Sequence, residues 1–207
     1  MKSIKYFIQF LIISTLFLIF KILGVNFSSY LSGKIISFIG PIFRSKDLIK
    51  SNILKALPNL SHSEVEKITK KMWNNYGRIL AEYIFIKDFR TSKLEKNIQI
   101  KGKEILEEIK KNNEPVIFVS GHFNNFELMA MQIEKSGINL AVIYRPLNNK
   151  FLNLIMERIR KKYICKNQIK KGISGTKQLL SFFKKKTCIA LMIDQRVSQG
   201  INSNFFE

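Results

Sequence analysis

Histidine and cysteine are nearly absent from this chain, with two of each in 207 residues. A metal centre of imidazoles and thiolates needs about four such ligands converging. His62, His122, Cys165 and Cys188 have no ligand-like spacing, so no metal site is expected. Both cysteines fall inside predicted elements and read as reduced, buried thiols rather than a disulfide. Also missing are a phosphate-cradling glycine loop, an internal repeat and a low-complexity linker. Acidic residues are scarce as well: 15 Asp and Glu stand against 35 Lys and Arg, a formal net charge of +20. Such an excess suits anionic partners, whether nucleic acid, anionic lipid headgroups or an acidic carrier protein. Part of it follows from a composition rich in Lys, Ile, Asn and Phe, of the kind AT-rich genes encode. The aromatics are mostly Phe in apolar runs and are not interleaved with basic residues as base-stacking platforms. A nucleic-acid reading therefore rests on charge alone.

What the chain does have is apolar sequence at its start. Residues 6–20 carry no charge, and with Lys21 snorkelling, residues 4–27 are long enough to cross a bilayer core of about 30 Å. No small-residue cleavage site follows, which argues against a signal peptide. Lys21, Lys34, Arg44, Lys46 and Lys50 on the far side outweigh Lys2 and Lys5, which places the rest of the chain in the cytoplasm. A second apolar stretch, residues 30–43, is too short to span and is broken at Gly40-Pro41. It reads as an amphipathic helix, either on the membrane or covering the domain. Residues 47–57 form a short basic helix ending before Pro58. Ser61 with Glu64, and Ser63 with Glu66, then give overlapping capping boxes ahead of a long helix. His62 sits exposed in that turn, and Arg78 with Glu82, four apart, reads as an intrahelical ion pair.

Residues 98–102 read as a short strand and turn, followed by a charged helix over 103–112. From Pro115 the pattern alternates: strand 116–120, helix 124–136, strand 139–144, helices 149–162 and 174–185, strand 187–193. The fold class expected is α/β, a mostly parallel sheet flanked by helices, with an N-terminal transmembrane or membrane-anchoring helix. In such sheets chemistry gathers at the carboxyl ends of strands. His122 follows the first strand, Arg145 the second, and Asp194-Gln195-Arg196 the last.

The segment Val116-Ile-Phe-Val-Ser-Gly-His122-Phe-Asn-Asn-Phe-Glu127 is the most informative of the chain. Imidazole moves protons near neutral pH, and a carboxylate is the usual means of fixing its tautomer. Five residues apart on one helix is about 140° of rotation. His122 and Glu127 therefore converge only if His122 lies on the turn and Glu127 one turn into the helix. Gly121 loosens that turn, and Asn124 or Asn125 is available to cap the helix.

These residues resemble the lysophospholipid acyltransferase superfamily, marked by His-x4-Asp/Glu, and within it the lipid A late acyltransferases. The resemblance runs over most of the chain. It takes in Met72-Trp-Asn-Asn-Tyr-Gly-Arg78-Ile-Leu-Ala-Glu82-Tyr83 and Gly121-His-Phe-Asn-Asn-Phe-Glu127, where the group has Gly-His-Phe-Gly-Asn-Trp-Glu. Tyr144-Arg-Pro-Leu147, Lys171-Gly172, Asp194-Gln195 and Phe205-Phe206 complete it. Asn124 and Phe126 thus stand where the group has Gly and Trp. Family members continue past the Phe-Phe motif, so a C-terminally truncated chain is expected, with residues 1–45 as anchor and amphipathic segment and residues 46–207 as the acyltransferase domain.

The resemblance implies transfer of an acyl chain from acyl carrier protein to a hydroxyl of a lipid A precursor, at the cytoplasmic face of the bacterial inner membrane. His122 would be the general base and Glu127 its orienter. Arg145 would stabilise the oxyanion or bind phosphate. Asp194 would position Arg145 or a substrate hydroxyl, and Lys171 would contact anionic substrate. No cofactor is required beyond the acyl carrier protein as donor. The lysines at 161, 162, 166, 170, 171, 177 and 184–186 have two uses in this scheme, anionic glycolipid and membrane on one side and an acidic carrier on the other, beside the plain one of a solvated face. Competing readings are transfer to a glycerophospholipid or another glycolipid, an inactive remnant, and a basic membrane-tethered nucleic-acid-binding protein.

Overall fold

The computed structural model describes residues 2–194. Gln195, Arg196 and the Phe205-Phe206 pair lie outside the described residues. By packing, the chain divides into two compact units, Met1–Lys101 with Pro146–Ile164, and Gly102–Arg145 with Cys165–Glu207.

The first unit is helical. Helix α1 covers Lys2–Leu23 and is long and apolar enough to cross a membrane. At 1.5 Å per residue it rises about 33 Å, the thickness of a bilayer core. It ends earlier than residue 27 because Gly24 takes φ 78°, a left-handed turn open to glycine, and α2 (Val25–Ile39) starts in a new direction. The second apolar segment belongs to α2, whose buried face is Ser28, Ser29, Ser32 and Gly33. These small residues pack on α4 (His62–Glu82), so this face covers protein. Helix α3 (Lys46–Ala56) is capped by Ser45 and stops before Pro58. Helix α4 opens on the Ser61–Glu64 capping box: Ser61 N–H donates to Glu64 Oε2 at 2.8 Å and Glu64 N–H to Ser61 Oγ at 3.4 Å. Only one of the two overlapping boxes forms, since Ser63 lies inside the helix. Helix α5 (Ile86–Thr91) and α8 (Lys150–Tyr163) complete the unit. Phe151 of α8 packs on Phe7 and Phe10 of α1.

The second unit holds the sheet. It contains α6 (Lys103–Asn112), β1 (Ile117–Ser120), α7 (Glu127–Lys135), β2 (Leu140–Tyr144), β3 (Asn167–Lys170), α9 (Ile173–Lys184) and β4 (Cys188–Met192). The strand order is β1-β4-β2-β3 and every pairing is parallel. Alternate residues of the strands face α9: Ala141, Ile169 and Ile189 pack with Leu179, Phe182 and Phe183. Cys165 and Cys188 are buried free thiols, and Cys165 Sγ donates to the Leu140 carbonyl at 3.0 Å.

Two expectations are corrected. Residues 98–102 form no strand; Ile98 is extended but no neighbouring strand takes up its ladder groups. Conversely β3 was not expected, because Asn167-Gln-Ile-Lys shows one apolar residue in four, and its pairing with β2 supplies what its composition does not.

Candidate functional site

The strand order sets four chain-distant strand ends side by side. Along the carboxyl edge of the sheet stand His122 after β1, Asp194 after β4, Arg145 after β2 and Lys171 after β3. Adjacent strands lie about 4.8 Å apart, so β1 and β4 bring His122 and Asp194 within side-chain reach although 72 residues separate them. The ladder continues one bond beyond the strands, with Ile193 N–H donating to the Ser120 carbonyl at 3.0 Å. That bond fixes Asp194 opposite the turn.

Asp194 then grips His122 twice. Oδ2 accepts from the His122 backbone N–H at 2.7 Å, and Oδ1 lies 2.7 Å from Nδ1. A carboxylate only accepts, so this contact puts the proton on Nδ1 and leaves Nε2 with its lone pair. The backbone N–H of His122 first, and its ring second, hold the Asp194 carboxyl below the usual carboxylate range. Nε2 has no hydrogen-bond partner among the described residues, and the side chain is 38% exposed. The result is an oriented imidazole with an open face.

Local geometry explains the residues around it. A Cβ on Gly121 would lie 3.2 Å from Asp194 Oδ2 and 3.0 Å from the Phe123 ring, so glycine there admits the aspartate. Asn124 has φ 45°, in the left-handed region, which asparagine tolerates better than most residues; this is the position where the resembling group has Gly. Neither Asn124 nor Asn125 caps α7 by its side chain, as the sequence had suggested; the helix starts at Glu127 without a side-chain cap. The Phe126 ring meets the imidazole edge-on, centroids 4.8 Å apart.

Glu127 is the first residue of α7 and is buried, at 7% exposure. At Nδ1 the imidazole meets Asp194, a residue that the resemblance assigns to positioning Arg145 or a substrate hydroxyl. What signalled Asp194 was its place at a strand end; what hid its partner was strand order. Arg145 is exposed at the end of β2, and Lys171 is exposed after β3, its backbone N–H donating to the Tyr144 carbonyl at 2.9 Å. The expected Arg78–Glu82 pair does not form: Arg78 Nε donates to Asn74 Oδ1 at 3.0 Å, and Glu82 Oε1 accepts from Ser29 Oγ at 2.9 Å. His62 is exposed, 3.8 Å from Glu66. No group of three or more metal-ligating side chains occurs among the described residues. The helical unit has its own apolar cavity of about 340 Å³, lined by Phe17, Tyr76, Leu80, Leu152, Ile155 and Met156 among others.

A parallel α/β unit with a carboxylate-held histidine at its strand ends carries its candidate site where such sheets gather their chemistry. Comparison with known proteins makes this specific. The chain belongs to the bacterial lipid A biosynthesis acyltransferase family, which it matches along residues 1–207. It is 24% identical over 131 residues to the lipid A biosynthesis myristoyltransferase of Escherichia coli (strain K12), covering 63% of this chain and 40% of that protein. Lipid A biosynthesis acyltransferase 2 of Shigella flexneri is 27% identical over 112 residues, covering 54% of this chain and 36% of the relative. The matched segment thus spans about two fifths of the length of the curated relatives.

Proposed function

We propose that this chain carries the acyl-transfer site for moving a fatty acyl group from acyl carrier protein to a hydroxyl of a lipid A precursor. The observation that carries the reading is the His122–Asp194 contact, which leaves Nε2 basic and accessible. A hydroxyl is a poor nucleophile at neutral pH and needs a base in contact with it. In the proposed step Nε2 takes the hydroxyl proton as the oxygen attacks the thioester carbonyl carbon. The carbonyl electrons pass to oxygen, giving a tetrahedral oxyanion. When it collapses the C–S bond breaks, the ester forms, and the departing thiolate takes the proton back from the imidazolium. Asp194 stabilises that imidazolium and holds the ring. Glu127 acts as a second carboxylate of the site from the buried start of α7, where the helix N-terminus favours negative charge. Arg145, two strands from His122 along the sheet edge, serves the oxyanion or a substrate phosphate, and Lys171 meets anionic substrate. No cofactor takes part in the scheme. Helix α1 keeps the chain at the inner membrane, with the sheet unit on the cytoplasmic face.

The test is transfer of a labelled acyl chain from acyl carrier protein by the full-length enzyme, offered a lipid A precursor and a glycerophospholipid side by side. His122→Ala and Glu127→Ala are each expected to abolish transfer while circular dichroism stays unchanged. Near-wild-type transfer by either variant would sink that residue's role. Preference for the glycerophospholipid would overturn the acceptor.

A further inference from the structure

The elbow between α1 and α2 opens on a cleft of about 720 Å³ in the helical unit, lined by Lys21, Leu23–Phe27, Phe85, Asp88, Lys93, Leu94, Lys96 and Asn97. Its charged groups are three lysines against one aspartate, and that aspartate is already taken: Lys21 Nζ lies 2.5 Å from Asp88 Oδ2 and 4.8 Å from the centre of the Phe85 ring. Lys93 and Lys96 are exposed and have no acidic partner among the described residues. A neighbouring polar recess shares Val25, Asn26 and Asn97 and adds Arg78, whose Nε is held by Asn74, together with Glu82, so it brings no net charge of its own. No side chain caps the first turn of α2 at Gly24, so its N–H groups add partial positive charge.

Two further features select among anions. The cleft is mixed: Leu23 and Phe27, both exposed, and Phe85 and Leu94 put apolar surface beside the lysines. A small soluble anion gains nothing from that surface, whereas an amphiphile does. The second feature is depth. Helix α1 is about one bilayer core long, so if it crosses, Lys21 and Gly24 stand at the level of the headgroups. We propose that this cleft holds the phosphate of an anionic membrane phospholipid, with Lys93 and Lys96 on the phosphate and Leu23 and Phe27 against the start of its acyl chains. Neither lysine belongs to the His122 site, so the inference stands apart from the acyl-transfer reading.

The experiment titrates the full chain, in dodecyl maltoside micelles, with dihexanoyl phosphatidylglycerol, dihexanoyl phosphatidylcholine or sodium phosphate, following heat by calorimetry. Phosphatidylglycerol is expected to bind, and phosphatidylcholine and inorganic phosphate to bind at least tenfold more weakly. A basic side chain beside an anionic headgroup is worth about fivefold in affinity, so Lys93→Gln/Lys96→Gln should weaken phosphatidylglycerol by about twentyfold. The pair Lys67→Gln/Lys70→Gln, exposed on α4, removes equal charge elsewhere and should cost less than threefold. Equal losses in the two pairs would mean a diffuse field and overturn the site. Inorganic phosphate binding as tightly as the lipid would overturn the membrane source. Because both pairs are exposed and binding needs no turnover, His122→Ala should leave every one of these affinities unchanged.

Discussion

Replacing Gly77 with alanine sets two magnitudes of opposite sign against each other. Gly77 lies on α4 where α2 crosses, and a Cβ there would fall 2.3 Å from the Ser32 carbonyl oxygen and 2.8 Å from Gly33 Cα. Both atoms are backbone, so no rotamer change relieves the contact and the helices must part by about 1 Å. Helix propensity alone would favour alanine by about 1 kcal/mol. Overpacking costs about 1–3 kcal/mol, and a gap of 0.5–1 Å forfeits about a quarter to a half of the dispersion energy across the opened interface. With backbone on both sides the upper figure applies, leaving a net loss of about 2 kcal/mol. At this chain length that is about 4–8 °C in Tm. Thermal melting of the full chain in detergent micelles, followed by far-UV circular dichroism, reads it directly. A Tm equal to or above that of the wild type would show that α2 and α4 are not in backbone contact, and the reasoning would fail.

Three other outcomes follow from the site. Asp194→Asn keeps the shape but loses the charge that fixes Nδ1–H, and acyl transfer by the full-length enzyme should fall about 10²–10⁴-fold with the far-UV circular dichroism unchanged; a loss under threefold would return the anchoring role to another group. Gly121→Ala pushes on Asp194 Oδ2 and the Phe123 ring, so it should lower transfer while leaving the melting of the helical unit unchanged, and undiminished transfer would contradict the close approach. Asp194 has a lowered pKa, chiefly from the His122 backbone N–H. A lowered carboxylate contributes stability above its unfolded value of about 3.9 and loses it as pH falls through the folded value. The stability difference between wild type and Asp194→Asn in urea should therefore shrink as pH falls from about 5 into stronger acid; growth of that difference over the same acid range would refute the pairing.

Some of this molecule was legible from local chemistry. The Ser61–Glu64 box, the end of α3 ahead of Pro58, and the helix–strand alternation after Pro115 are settled by contacts within a few residues, and all appear. Harder to read were features whose partner is distant. Asn124 looked like a cap and instead supplies a left-handed turn; Arg78 and Glu82 looked like a pair and instead bind Asn74 and Ser29. Helix spacing places side chains near one another, and packing from α2 decides which bonds they make.

The sharpest case is a tripeptide that occurs twice. Gln99-Ile100-Lys101 and Gln168-Ile169-Lys170 are identical, yet only the second is a strand. Ile169 is 0% exposed beneath α9, while Ile100 is 37% exposed. Strand formation there belongs to the pairing with β2, not to the residues, because ladder hydrogen bonds and burial come from the neighbour. The same holds for His122. By itself the sequence determined that an apolar helix opens the chain, that a basic parallel α/β unit follows, and that a histidine sits on a strand-to-helix turn. That Asp194 grips that histidine was decided by the order β1-β4-β2-β3, since pairing β1 with β4 brings residues 72 positions apart within a hydrogen bond.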